Sequence, residues 1–202
     1  MRMLIDLHVH STYSPCSRLT VGEILAHARQ RGLDGVCLTD HDTMAVAAQV
    51  REGVQADGLC VIVGMEYATP QGDYLVFGPF EALAPGLHAR GLLELVRDGG
   101  GVAVAAHPFR SWRPVRPDCL NSGLCTHIET MNGRNEACEN QQARDWAMRH
   151  DMHATGGSDA HALDELGRCA TRFDAPVRSR AEFVAALRAG TCSPVRDLPS
   201  FI

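Results

Sequence analysis

The 202-residue sequence contains no lysine; all 19 of its basic residues are arginine. That absence removes Schiff-base chemistry, a phosphate-binding P-loop lysine and a metal pair bridged by a carbamylated lysine. Aromatic residues are scarce, at 5%, and include two tryptophans. No apolar run approaches the ~20 residues that a membrane-spanning helix needs. The opening MRMLIDLHVHSTYS has neither an apolar signal core nor a small-residue cleavage site. The eight cysteines are scattered singly without a CxxC pair, which predicts reduced thiols and a cytoplasmic location. A formal charge of −5 offers no general attraction for nucleic acid or acidic lipid. A small substrate is therefore expected, with no membrane and no protein partner. Histidine is what the sequence has in excess, ten residues in all. It is the commonest neutral metal ligand and the usual proton shuttle near pH 7.

Short apolar runs alternate with helical segments and nothing reads as a linker, so residues 1–202 are expected to form one α/β domain. Strands are predicted over 3–8, 35–39, 60–66, 74–77, 102–106, 127–131, 153–156 and 169–173. Several are continuous Val/Ile/Leu/Ala runs of the kind buried on both faces of a parallel sheet. A capping box, Thr20 with Glu23, starts a helix that should stop near Gly32, and Leu19 with Ile24 fits a hydrophobic staple. Further helices are expected after Asp42, over 87–98 and over 136–150. A last one, opened by Ser179 and Glu182, should end at Gly190. The residues after Gly190 are expected to cover an open wall of the fold or to meet a partner.

Polar clusters close five of these strands: Asp6-Leu7-His8-Val9-His10, Thr39-Asp40-His41-Asp42, Gly64-Met65-Glu66, Ala106-His107-Pro108 and Gly157-Ser158-Asp159-Ala160-His161. In a β/α barrel the C-terminal strand ends converge on one face, whereas an open sheet spreads them along a line. The clusters therefore favour a barrel. His8 and His10, two apart on an extended segment, project to the same side and can grip one ion; Asp159 and His161 repeat that spacing. Imidazole with carboxylate suits zinc, manganese or iron, and Glu66 can bridge two ions. Each cluster alone has a plainer explanation, such as a helix N-cap for Asp40 or Asp42. That explanation has to be repeated five times at matching positions. His27, His88, His150 and His153 fall on helices or at a strand start and read as structural.

The ordered set Asp6-x-His8-x-His10-Ser11, Thr39-Asp40-His41-Asp42, Gly64-x-Glu66, His107-Pro108 and Gly157-Ser158-Asp159-x-His161 resembles the PHP (polymerase and histidinol phosphatase) family over roughly residues 4–173. The resemblance implies a distorted seven-stranded β/α (TIM-like) barrel holding two or three divalent ions, of zinc, manganese or iron. It further implies that His8, His10, Glu66 and Asp159 hold one ion, that Glu66 bridges to a second held partly by His107, and that His41 and His161 hold a third. Glu129, or nearby Asn132, falls where the family supplies a further donor. Cys16 stands where members often carry Asp or His, and its thiolate would suit zinc or iron. Asp73, near a position where some members use His, is not taken as a ligand.

By the same resemblance the reaction expected is metal-dependent phosphoester hydrolysis, in which a metal-bridging hydroxide attacks phosphorus in line. Asp42 and His161 are the candidates for proton transfer to the leaving alcohol. With no lysine, phosphate recognition falls to arginine: Arg134, and the segment Arg110-Ser111-Trp112-Arg113-Pro114-Val115-Arg116, in which Trp112 could stack a base or ring. The substrate expected is a small phosphomonoester, a nucleotide or a short oligonucleotide. Two alternatives are an amidohydrolase-like deaminase or amide hydrolase, whose binuclear form commonly needs the missing lysine, and a non-catalytic metal-stabilised regulatory module.

Overall fold

A computed structural model describes residues 2–196. The strands are β1 (Met3–Val9), β2 (Gly35–Leu38), β3 (Gly53–Val54), β4 (Cys60–Val63), β5 (Met65–Thr69), β6 (Gly72–Phe77), β7 (Val102–Ala105), β8 (His127–Asn132), β9 (His153–Gly157), β10 (Cys169–Phe173) and β11 (Cys192–Arg196). The α-helices are α1 (Val21–Ala28), α2 (Ala89–Asp98), α3 (Pro117–Leu120), α4 (Ala137–His150) and α5 (Arg180–Arg188).

Among the described residues the strands form two open sheets, ordered β11-β10-β1-β2-β4-β3 and β5-β6-β7-β8-β9. The expected closed seven-stranded barrel is thereby corrected. Closure fails because β1 has no free edge: β2 lies parallel on one side and β10 antiparallel on the other. No ladder joins β9 to β1 among the described residues; just past β9, Ala160 forms an isolated bridge with Val9, and the opposite seam holds the isolated bridge His41–Glu66. Those two bridges still draw the functional ends of both sheets together, so the convergence that suggested a barrel survives without one.

Gly64 is the corner where the chain leaves β4 and enters β5. The strand predicted over 60–66 is split there into two strands of different sheets. A Cβ on Gly64 would lie 2.6 Å from the Phe77 ring and 2.8 Å from Val76 O. Gly64→Ala is expected to destabilise by about 1–3 kcal/mol through overpacking, read as a lower urea midpoint at unchanged slope.

The box at Thr20 forms as predicted, and Gly32 closes the following turn at φ +78. At α5 only half of it forms. Ser179 accepts from the Glu182 N–H, but the Glu182 carboxylate accepts from the Arg178 N–H instead of reaching back to Ser179. The helix expected after Asp42 is a four-residue 3-10 turn, Ala45–Ala48. The segment Cys192–Arg196 adds β11 to β10; residues 197–202, on which the rest of that expectation falls, lie outside the described residues.

Candidate metal centre

Period-two alternation places His8 and His10 on the same side of the β1 end, and their Nε2 atoms converge to 3.0 Å. Each ring is held from behind. His8 Nδ1 lies 3.1 Å from Glu129 Oε1, and His10 Nδ1 lies 3.2 Å from Ser14 Oγ, which donates to Asp40 Oδ1 at 2.7 Å. Such contacts place the proton on Nδ1 and leave the Nε2 lone pair for a ligand. Asp6 faces backbone instead, accepting from the N–H groups of His8, Ser158 and Gly167. Burial pushes its carboxyl up to about 6 against those hydrogen bonds.

Glu66 enters from the start of β5. Its Oε1 lies 2.7 Å from His107 Nε2, while Oε2 lies 3.0 Å from His41 Nδ1, 3.1 Å from His10 Nε2 and 3.4 Å from His8 Nε2. Asp159 Oδ1 completes the cluster, 3.5 and 3.4 Å from the Nε2 atoms of His8 and His10. Burial disfavours charge on His8, His10, Glu66 and Asp159, yet their mutual attraction wins. His8 is held well above the usual histidine range by Asp159, Glu129 and Glu66; Glu66 and Asp159 are held well below theirs, led in both cases by His8.

Among the described residues four sets of donors could each hold a metal ion, every set within 4.8 Å: His10-His41-His161, His8-His10-Glu66, His8-His107-Asp159 and Glu66-Asp73-His107. Further features fit an ion. His107 Nδ1 is buried without a hydrogen-bond partner, and Nε2 atoms 3.0 Å apart need a proton or a cation between them. Backbone strain also collects here: Asp42, His107 and Asp159 have φ of +54, +31 and +55, and the remaining positive-φ residue that is not glycine among the described residues, Asp151, caps α4.

The other predicted site residues are placed as follows. Glu129 belongs to none of the four sets; its second oxygen accepts from His107 N–H at 2.8 Å and from Asn132 Nδ2 at 2.9 Å. Asn132 Oδ1 accepts from Arg110 and from the Arg134 N–H. Cys16 lines the cavity above the centre but joins no donor set, and burial pushes its thiol up, away from thiolate. His161 Nδ1 lies 2.9 Å from Asp159 O. Its pKa is lowered to about 4, by burial first and then by His10 and Arg134, so it is neutral at pH 7.

The cavity has a volume of about 500 Å³, and Asp42, Arg113, Arg134 and Trp112 also line it. Arg110 is buried and committed to protein: Nη2 donates to Asp159 Oδ2 at 2.7 Å and to Asn132, and Nε donates to Asn135. Arg134 stands 3.0 Å from His161 Nδ1. Arg116 pairs with Asp118 and lines a separate hollow with Gln71 and His88. Trp112 is 74% exposed at the cavity mouth, its ring centroid 5.4 Å from the Arg110 guanidinium carbon. Asp6 and Ser11 belong to the sequence motif without a role read for them, and Ser14 was not singled out; all three are supports, Ser11 and Ser14 on Asp40 and Asp6 across the ends of β1 and β9.

A two-sheet α/β fold with buried imidazoles and carboxylates at its converging strand ends defines a metal-dependent hydrolase. Two family profiles match the chain, the PHP domain over residues 6–105 and the PHP-associated region over residues 138–192. The chain belongs to the PHP family and has the fold of a metal-dependent phosphoesterase. It is 29% identical over 117 residues, 53% of this chain and 68% of the relative, to the uncharacterized protein MJ1587 of Methanocaldococcus jannaschii. It is 42% identical over 64 residues, 32% of this chain and 24% of the relative, to the phosphoribosyl 1,2-cyclic phosphate 1,2-diphosphodiesterase of Eggerthella lenta. The crystal structure of PsfC from Pseudomonas syringae PB-5123 superposes with a TM-score of 0.80 at 22% identity, covering 98% of this chain and 93% of that one.

Proposed function

We propose that the chain hydrolyses a small phosphomonoester or nucleotide, with a short oligonucleotide as the largest substrate. The observation that carries this reading is the cavity itself. Buried histidine and carboxylate donors form its floor, while two partly exposed arginines, Arg113 and Arg134, stand on its walls. The reading draws support from the likeness to the Eggerthella lenta phosphodiesterase, restricted to 64 residues.

His8, His10, Glu66 and Asp159 would hold one ion, Glu66 and His107 part of a second, and His41 with His161 a third. Divalent ions held there would acidify water toward neutrality and neutralise phosphoryl oxygens. The chain supplies the rest. Arg113 and Arg134 bind non-bridging oxygens, and Arg110 holds Asp159 in place. His161, neutral at pH 7, serves as a ligand and not as an acid. Asp42 then carries the proton-transfer role: the Ala68 N–H fixes its Oδ1 at 2.8 Å, and the carboxylate lines the cavity. The full donor set argues against a non-catalytic module, and membership of the PHP family weighs against an amide substrate. Residues 1–202 would act as one domain, in a reducing cytoplasm where all eight cysteines stay free thiols. No described helix is long and apolar enough to cross a membrane.

A panel of phosphomonoesters, phosphodiesters and amides, run separately with manganese, iron and zinc, tests the reading. Hydrolysis of a phosphoester that disappears in His10→Ala supports it, and full metal occupancy without phosphoester hydrolysis refutes it. Trp112→Ala is expected to raise the KM for nucleotides about fivefold or more, given about 1–3 kcal/mol per stacked base, and to leave that for p-nitrophenyl phosphate within about twofold. Equal effects on both would remove the stacking role.

A further inference from the structure

The guanidinium of Arg113, unlike that of Arg110, is both anchored and open. Its Nε and Nη2 donate to Asp73 Oδ2 and Oδ1 at 2.5 and 2.7 Å, a two-point fork. Among the described residues Nη1 has no hydrogen-bond partner, and the side chain, 39% exposed, lines the cavity. Asp73 is buried within β6, opposite Ala68 of β5, so it belongs to the rigid sheet. The loop that carries Arg113 is pinned there as well. Val115 N–H donates to Pro108 O and Arg116 N–H to Gln71 O, both at 2.9 Å. Val115 also packs against Gly72, where any Cβ would lie 2.6 Å from its Cα.

A buried carboxylate beside Glu66 and His107 invites a ligand role, since the donor atoms of all three lie within 4.8 Å of one another. Both oxygens of Asp73, however, are taken by Arg113. We infer that Asp73 is a positioning residue, which aims Arg113 at a phosphoryl oxygen of the substrate and does not itself hold metal. The inference rests on the phosphoesterase reading above. A free arginine samples many rotamers, and holding it in one before substrate arrives removes that ordering cost from binding. The fork occupies Nε and Nη2 and leaves the two N–H groups of Nη1 for an anion. Without Asp73, the next carboxylates whose charge Arg113 feels are Glu66 and Asp42, and a guanidinium drawn onto Glu66 would compete with the metal.

Inorganic phosphate is the probe. Its binding to the manganese-loaded protein by titration calorimetry is read together with metal content and with turnover of p-nitrophenyl phosphate. Arg113→Ala is expected to raise the phosphate Kd by about tenfold or more. Asp73→Asn should raise it to within about threefold of the same value, and the double variant no further, because the two residues act as one unit. In both single variants KM rises while kcat stays within about threefold of wild type, and metal content is unchanged. Arg113→Lys does not restore binding, since an ammonium cannot make the fork. Asp73→Ser takes the place of Asp73→Asn if that variant does not fold. Metal loss in the Asp73 variant, an unchanged phosphate Kd in either single variant, or multiplying effects in the double variant would each overturn the inference. Arg113-dependent phosphate binding with no phosphoester hydrolysis would instead defeat the phosphoesterase reading and leave the Asp73–Arg113 assignment standing.

Discussion

Asp159→Asn is expected to lower kcat/KM for any phosphoester by on the order of a thousandfold or more, together with metal content. The substitution isolates charge. Asp159 has φ +55, in the left-handed region that asparagine tolerates as well as aspartate does, so the backbone is not disturbed. Its Oδ1 faces the Nε2 atoms of His8 and His10, while Oδ2 accepts from Arg110 at 2.7 Å and from Asn132 at 3.3 Å. An amide has one oxygen for those two tasks. Turned toward the histidines, it leaves the buried Arg110 guanidinium facing an NH2 group, and breaking such a buried pair costs about 3–5 kcal/mol. Turned toward Arg110, it presents an NH2 donor to the metal face, and a donor cannot ligate a cation. The second orientation is cheaper, so the variant should fold, lose metal and lose turnover together. A variant that keeps its metal and retains activity within about tenfold of wild type would remove Asp159 from the centre.

The His8–His10 pair was legible because a period of two is a property of any extended strand, whatever sheet it joins. Glu66, His107 and Asp159 were legible for a related reason, since each ends or begins an apolar run and a purely structural explanation would have to recur at every such end. The barrel was not. Its failure depends on which strand takes the free edge of β1, and β10 takes it through pairing that no local pattern announces. The helix expected after Asp42 failed because its cap signal is followed by the short run Ala45–Ala48, too little apolar surface to hold more than a 3-10 turn. Residue type marked Glu129 as a donor, but its role depends on direction. It stands behind His8 and beneath the His107 N–H, on the side away from the converging nitrogens. Arg110 shows the same limit. An arginine in a loop reads as a phosphate contact until the fold buries it on Asp159 and two asparagines.

Removing metal with a chelator is expected to lower Tm by about 8–16 °C, and by more at pH 8 than at pH 6. Ions present at about a thousand times their Kd stabilise by ~4 kcal/mol, and each kcal/mol moves Tm by roughly 2–4 °C in a chain of this size. The pH dependence follows from what replaces the metal. In the metal-free centre His8 and His10 are pushed above the ordinary histidine range: burial opposes their charge, but Asp159, Glu66 and, for His8, Glu129 outweigh it. Protons on these imidazoles partly stand in for the cation. A raised pKa means that this stabilisation is fully present below the unfolded value and disappears as pH rises through the folded one. The metal-free protein therefore loses stability with rising pH, its carboxylates facing each other without compensation. The metal-loaded protein carries no such protons and keeps its stability. Metal binding at pH 7 must accordingly release protons, which titration calorimetry in buffers of different ionisation enthalpy measures directly. Melting curves unchanged by chelator, or metal binding without proton release, would mean that His8 and His10 do not hold the ion.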